Sequence, residues 1–291
     1  MCRNKKRRGL TLVEVLVVLG IISLIMAMLI PAILFVRQAS AALESSNNLK
    51  QIMLAIHQYE LDYKKLPKLH SGQGSLHRAI IPYLELGNIF QSIAENNQVD
   101  SSDVYIKTYV SPIDPTQSPV VNGYSSYAAN AQVFNKRRRL STGVPDGATH
   151  TIAFAERYSF LIQHTSFSWF ITIPDFTVLP EYTLLVRPAT FADNGPEVQP
   201  YMGPPGGLID AYPIYDPVSK RTRSSIPGLT FQIRPSISAA DPRIPQTPHP
   251  AMIVSLMDAS VRRLSGKTSE HTFWSAVTPN RGEVFDNDWD N

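Results

Sequence analysis

Cysteine is nearly absent from this chain: one in 291 residues, at Cys2. A single thiol excludes an intrachain disulfide and any metal site built from several thiolates. The spacings that announce common chemistry are missing as well. The sequence has no HExxH, no CxxC and no G-x-S-x-G, so its seven histidines, His57, His70, His77, His150, His164, His249 and His271, stand outside any ligand or nucleophile motif. Internal repeats are lacking too. Charge is scarcest near the start. From Leu10 to Val36 there are 27 residues and one charged side chain, Glu14.

What is present begins with that apolar run. As a helix it is about 40 Å long at 1.5 Å per residue, enough to cross a hydrocarbon core of about 30 Å. Arg3, Lys5, Lys6, Arg7 and Arg8 precede it. Positive flanks stay cytoplasmic, which places the remainder outside the cytoplasm. A cleavable secretory signal fits the basic start and the "ASA" at 39–41, but its apolar core would run only about 7 to 15 residues. Arg37 also separates the run from that site. An ordinary signal anchor leaves Glu14 unexplained, because a carboxylate inside a membrane helix is costly.

The stretch "RRGLTLVEVLVVLGII" resembles the prepilin-type cleavage and methylation motif of type IV pilins and type II secretion pseudopilins. The resemblance implies cleavage after Gly9 by a prepilin peptidase and methylation of the new N-terminus at Leu10, where the family usually has phenylalanine. Glu14 becomes the fifth residue of the mature chain, and Pro31 falls where such helices commonly kink. Glu14 lies about 6 Å along the axis from the new ammonium group. A buried carboxylate needs a partner or reverts to its neutral form. The resemblance supplies the partner: the terminal amine of a neighbouring subunit.

Composition agrees with this division. The five basic residues of positions 1–9 leave 22 basic and 24 acidic side chains beyond, a net of −2. The overall excess of positive charge is therefore a topology signal, and no nucleic-acid partner is expected. The remaining cluster, Lys136 to Arg139, reads as a solvated loop.

Beyond Arg37 the pattern turns amphipathic. Leu43, Leu49, Ile52, Met53, Ile56 and Tyr59 form an apolar stripe. One continuous helix over about 10–64 is expected, ended by Pro67. The parts are a leader (1–9), a transmembrane helix (10–36) and a head (37–291) that includes the second half of the long helix. "SLHRAIIPYLELGNIFQSIAE" suggests two short helices broken near Gly87. "VYIKTYV", "HTIAFAERY", "FSWFITI", "YTLLVR" and "LTFQIR" read as strands, "AMIVSLMDASVRRL" as a closing hairpin and "SEHTFWSAV" as a terminal helix. Residues 188–250 hold 13 of the 23 prolines, which demands long loops. The expected class is α+β: a pilin-like long helix packed on a mainly antiparallel head.

"SSNNLKQIMLAIHQYE", "IIPYLELGNIF", "YVSPIDP", "GYSSYAANAQVF", "VPDGATHTIAFAER" and "HPAMIVSLMDASVRRL" together resemble a planctomycete pilin-like family with a head of unknown function. The match implies a membrane-anchored, pseudopilin-like protein without established chemistry. It also implies a head signature at His249 and Asp258. Relatives have glycine after that aspartate; Ala259 stands here, and a turn at 258–260 avoiding positive φ is expected. Relatives often carry cysteines where this chain has Ser45 and Ser111, which implies that the two serines are neighbours. Glu156 and Arg157 are candidates for an ion pair, and Asp146-Gly147 is turn chemistry.

The expected function is assembly of a non-enzymatic, single-pass inner-membrane protein with a periplasmic or extracellular head. Its partners are a prepilin peptidase and other pilin-like subunits, in a type II secretion or type IV pilus-like structure. The alternative is a tethered solute- or glycan-binding protein that does not polymerise, with a pocket lined by Trp169, Tyr201, Tyr212 or Tyr215. No cofactor is expected. Asp286, Asp288 and Asp290 alternate like the start of a calcium loop but lack its glycine and bidentate glutamate, so a flexible acidic terminus is preferred.

Overall fold

The computed structural model describes residues 12–71, 74–87, 104–117, 123–134, 139–161, 165–168, 185–192, 215–216, 221–222, 230–240, 244–279, 282, 285 and 288–289. Two compact units result, 1–41 and 42–291.

Helix α1 runs Leu12–Tyr63, through Pro31. Its end is set by Lys64, at φ 56, whose N–H bonds Glu60 O at 2.8 Å. This is a left-handed C-terminal cap, three residues ahead of Pro67. In the C-terminal unit Ala42, Leu49, Ile52, Met53 and Ile56 are buried in one core cluster. Leu43 does not join them. It is 59 % exposed, because six residues of helix place it about 120° around the axis from Leu49. Ser45 and Asn48 occupy the buried face instead.

The central sheet has five strands. In chain order they are β1 Tyr127–Asn130, β2 Ile152–Glu156, β3 Thr190–Phe191, β4 Met252–Leu256 and β5 Val261–Leu264. Their spatial order is β5-β4-β2-β1-β3. Every pairing is antiparallel except β1 with β3. The β2–β4 register shifts so that Ser255 faces Phe154 and Leu256 faces Ile152. Ala153 is the extra residue of this bulge, and both Ala153 and Phe154 therefore join the cluster under α1. On the opposite face Ala128, Ile152, Ala155, Met252, Val254, Leu256 and Leu264 meet helix α2, Glu270–Val277, through Phe273, Trp274, Ala276 and Val277. The sheet is buried between two helical layers, which is why β2 and β4 read as continuous apolar runs. A second sheet joins 160–161, 165–168 and 185–188.

Several expected elements differ. Residues 107–109 of "VYIKTYV" form a 3₁₀ turn. The alternation there is real, with Ile106 buried and Tyr105 exposed, but it belongs to a loop edge. The helix starting at Leu76 passes into a 3₁₀ turn ending at Leu84, with Glu85 left-handed at φ 59; the break comes before Gly87, and the expected second helix lies outside the described residues. Most of the proline-rich stretch does too. Of it, Gln232–Ile233 pairs in parallel with Gln246–Thr247.

The β4–β5 turn overturns the expectation for Ala259. Ala259 N–H bonds Leu256 O at 3.1 Å, placing the turn at 256–259, and Ala259 follows at φ 66. Neither Met257 nor Asp258 has positive φ, so this is a β-turn followed by a left-handed residue, a common hairpin loop. The left-handed alanine costs about 1–2 kcal/mol, and its surroundings offset that. Met257 N–H bonds Thr151 O at 2.9 Å and Asp258 N–H bonds Ala148 O at 3.1 Å. His57 Nε2 donates to Met257 O at 2.8 Å, and Asp258 Oδ1 accepts from Ser260 N and Oγ at 2.9 and 2.6 Å. The alanine methyl is itself in the core cluster. Ala259→Gly is accordingly expected to melt close to wild type, since relief of strain and loss of the buried methyl oppose each other. Ala259→Val should destabilise by about 2 kcal/mol or more, because a β-branched residue resists positive φ. Equal melting of the valine variant and wild type would contradict the constraint.

Candidate functional site

Two places carry polar chemistry where burial or lipid would make it costly. The first is the start of α1. Leu12 to Val36 has exposed apolar residues all round, with Glu14 in the first turn, and the helix is long and apolar enough to cross a membrane. Ser23 Oγ donates back to Leu19 O at 2.7 Å, which satisfies that hydroxyl within the helix. Gly9 and Leu10 lie outside the described residues.

The second lies in the C-terminal unit, beneath α1. Glu156 ends β2, is fully buried and faces the helix. Its Oε1 accepts from Ser45 Oγ of α1, and its Oε2 accepts from Thr247 Oγ1. His249 Nε2 lies 3.3 Å from Oε1, both side chains buried. The His249 backbone N–H donates to Thr247 Oγ1 at 3.1 Å. On the helix side, Asn48 Nδ2 donates to the Tyr127 hydroxyl at 3.2 Å and to Val110 O at 3.3 Å. With Ser45 engaged as donor to Glu156, the Tyr127 hydroxyl donates to Ser45 Oγ at 3.0 Å. A continuous run of hydrogen bonds therefore links Asn48, Tyr127, Ser45, Glu156 and Thr247. Burial first, then the Glu156 charge, pushes the Tyr127 phenol well up, against the opposing bonds from Ser45 and Asn48. Ser45 and Ser111 are both buried.

Neighbouring groups complete the surroundings. His77, buried against Tyr109 and Phe154, donates Nε2 to Tyr127 O at 3.1 Å. Burial lowers its pKa to about 4. Asp114, from "SPIDP", anchors the adjoining loop. Its Oδ1 accepts from Thr116 N at 2.9 Å and Thr116 Oγ1 at 2.5 Å, and its Oδ2 accepts from Ser126 Oγ at 2.7 Å and Ser159 N at 2.9 Å. Sequence reasoning missed this residue. An aspartate set between prolines with a threonine two positions on was the available signal.

The expected sites are distributed differently from the sequence reading. His249 and Asp258 stand at opposite ends of β4: His249 meets Glu156, while Asp258 closes the hairpin turn. Glu156 has His249 beside it, Nε2 3.3 Å from Oε1, in place of Arg157, whose NH1 donates to Thr190 O at 2.6 Å, because successive strand residues point to opposite faces. Gly147, at φ 100, receives the turn at Asp146, and Asp146 Oδ1 accepts from Gly282 N at 2.8 Å. Asp288 accepts from Ser269 N and Thr272 Oγ1 at the start of α2. Burial raises its pKa, but these bonds outweigh that and lower it overall. Asp286 and Asp290 lie outside the described residues. The described residues near the C-terminus are held in place. Trp289 is buried in the core cluster, stacks on Phe285 at 4.7 Å and sits 4.9 Å beneath Arg262. Among the described residues no three His, Cys, Asp or Glu side chains gather as a metal site. Trp169, Tyr201 and Tyr212 lie outside the described residues, and Tyr215 belongs to a two-residue strand paired with Thr222.

Comparison with known families agrees with this layout. Residues 4–30 match the prokaryotic N-terminal methylation motif. Residues 36–135 match a family described as protein of unknown function (DUF1559). The chain is thus similar to a prokaryotic methylation motif over its first residues and to the DUF1559 family over the stretch that follows. The DUF1559 match takes in Ser45, Asn48, Asp114 and Tyr127, so the α1 side of the buried cluster falls inside it, while Glu156 and His249 fall beyond it. No curated protein and no solved structure matches the chain.

Glu156→Ala is expected to destabilise the C-terminal unit by roughly 1–3 kcal/mol or more, because it leaves the buried hydroxyls of Ser45 and Thr247 without their acceptor. Glu156→Gln should cost less. Thermal melting of the full chain in detergent measures both, and an alanine variant that melts with wild type would remove the cluster's role.

Proposed function

We propose that this is a pseudopilin-like protein, processed by a prepilin peptidase and assembled through its N-terminal helix into a type II secretion or type IV pilus-like structure. The supporting observation is the coincidence of the methylation motif at 4–30 with one helix over Leu12–Tyr63 that carries a single acid, Glu14, within its apolar length. In this reading the leader 1–9 is removed after Gly9 and Leu10 becomes the methylated N-terminus. Residues 10–36 cross the inner membrane, and the head faces the periplasm or the exterior. Cleavage creates an ammonium group at the edge of a lipid-embedded helix. Glu14 of a neighbouring subunit neutralises it, and the pair selects one stagger between helices because any other leaves two charges unpaired in lipid. The cluster around Glu156 has a mechanical part in this scheme. It fixes the register of α1 on the sheet within the C-terminal unit.

Mass spectrometry of protein from a membrane containing prepilin peptidase should show a chain beginning at Leu10 and heavier by one methyl group. A chain beginning at Met1 would end the processing reading. Glu14→Ala is expected to leave membrane insertion unchanged and to reduce incorporation into crosslinked oligomers with wild-type chains. Equal incorporation would count against pairing with the amine.

A further inference from the structure

Two histidines of the C-terminal unit are buried almost completely, His77 at 3 % and His249 at 1 % exposure, and their surroundings are opposite. His249 has a carboxylate beside it, Glu156 Oε1 at 3.3 Å from Nε2. His77 is enclosed by a carbonyl and two aromatic rings. Its Nε2 donates to Tyr127 O at 3.1 Å, and its ring stands edge-to-face at 5.2 Å from Tyr109 and 5.7 Å from Phe154. Its backbone is engaged too, because the Tyr109 hydroxyl donates to His77 O at 2.6 Å. One residue therefore stitches together the short helix Leu76–Ile80, the 3₁₀ turn Lys107–Tyr109 and strand β1.

The neutral ring fits this box and the cation does not. Nε2 already carries a proton for the Tyr127 carbonyl, so a second proton comes to Nδ1 and places a full charge in a buried site. The ionisable groups around it do not compensate that charge. Tyr109 on the 3₁₀ turn and Tyr127 on β1 are phenols that burial pushes up and keeps neutral. Arg78, on the same short helix, has the same sign as the cation. Glu156 on β2, two residues beyond Phe154, is engaged by Ser45 and Thr247 with His249 beside it. The α1 residues that bond the Tyr127 hydroxyl, Ser45 and Asn48, are uncharged, and Glu44 of α1 pairs with Lys107. Burial thus outweighs the carbonyl and lowers His77 from 6.5 to about 4. The closed arrangement keeps its full stability above about 6.5 and loses it as pH falls toward about 4, because the released ring takes the proton first.

We propose that His77 is an acid-sensitive latch of the C-terminal unit: protonating it frees the Leu76–Ile80 helix and the Lys107–Tyr109 turn from β1 while α1 stays on the sheet. The bonds that hold α1, from Ser45 to Glu156 and from His57 to Met257 O, do not pass through His77. The latch lies wholly within the C-terminal unit and is independent of how the apolar span is placed.

Hydrogen exchange of the full chain in detergent tests it, read peptide by peptide at about pH 7 and about pH 5 and corrected for the intrinsic rate. With His77 at about 4 when closed and 6.5 when released, opening of 76–84 and 104–110 is expected to rise about twentyfold between the two conditions, and opening of 49–56 in α1 far less. His77→Gln keeps an N–H for the Tyr127 carbonyl without titrating, and its opening should be the same in both. Equal pH dependence in wild type and variant, or opening of 49–56 in step with 76–84, overturns the latch. If the variant does not fold, C2-hydrogen exchange of the histidines in the wild-type chain reads His77 directly. Titration well below the ordinary histidine range supports the latch, and titration within that range with the unit intact overturns it.

Discussion

A carboxylate buried under a helix is the constraint on which the C-terminal unit depends. The apolar face of α1 supplies attraction: Leu49, Ile52, Met53 and Ile56 are fully buried, each contributing about 1.5–3 kcal/mol by leaving water. That attraction is non-directional, and a helix held by it alone can slide or roll by a fraction of a turn. Glu156 removes the freedom. It accepts from Ser45 of the helix and Thr247 of the loop before β4, and it lies beside His249. A one-residue slip of α1 would turn Ser45 away and leave a buried carboxylate short of a donor, which costs more than any single apolar contact gains. Direction therefore comes from the polar cluster and strength from the stripe.

The rest of the unit is arranged around that contact. Burial on both faces of the sheet requires a second layer, and α2, with eight residues, is too short to supply it alone. Phe231 and Trp289 join the cluster. Asp288 at the N-terminal end of α2 and Arg262 over Trp289 hold it there. At the other end of β4 the hairpin turn is tied to α1 through His57. The helix is thus fastened at two levels, by Ser45 and by His57, twelve residues or about 18 Å apart.

This double fastening suits a protein anchored by an apolar helix. A load on the helix can neither slide nor roll it against the sheet while both bonds hold. Apolar contacts yield gradually under shear, whereas a hydrogen-bonded, buried charge holds until it breaks.

The long helix, its apolar span, the acid at Glu14, the closing hairpin and the terminal helix were legible in the sequence because each depends on neighbours a few residues apart. Period, run length and flanking charge report such features directly. The stripe was legible except at Leu43, where a residue of the right type sits at the wrong angle. Tertiary structure alone decided the remainder. Glu156 and Ser45 are 111 residues apart, and nothing local marks a strand-ending glutamate as the partner of a helical serine. The left-handed Ala259 was misjudged for the same reason: its local cost is readable, but the bonds from Thr151, Ala148 and His57 that outweigh it come from distant segments. The acidic tail read as flexible from its composition, yet Trp289 is held in a core assembled by residues far upstream. Local sequence fixes conformational preference; which preference is overridden depends on the free energy of contacts that exist only once the chain has closed on itself.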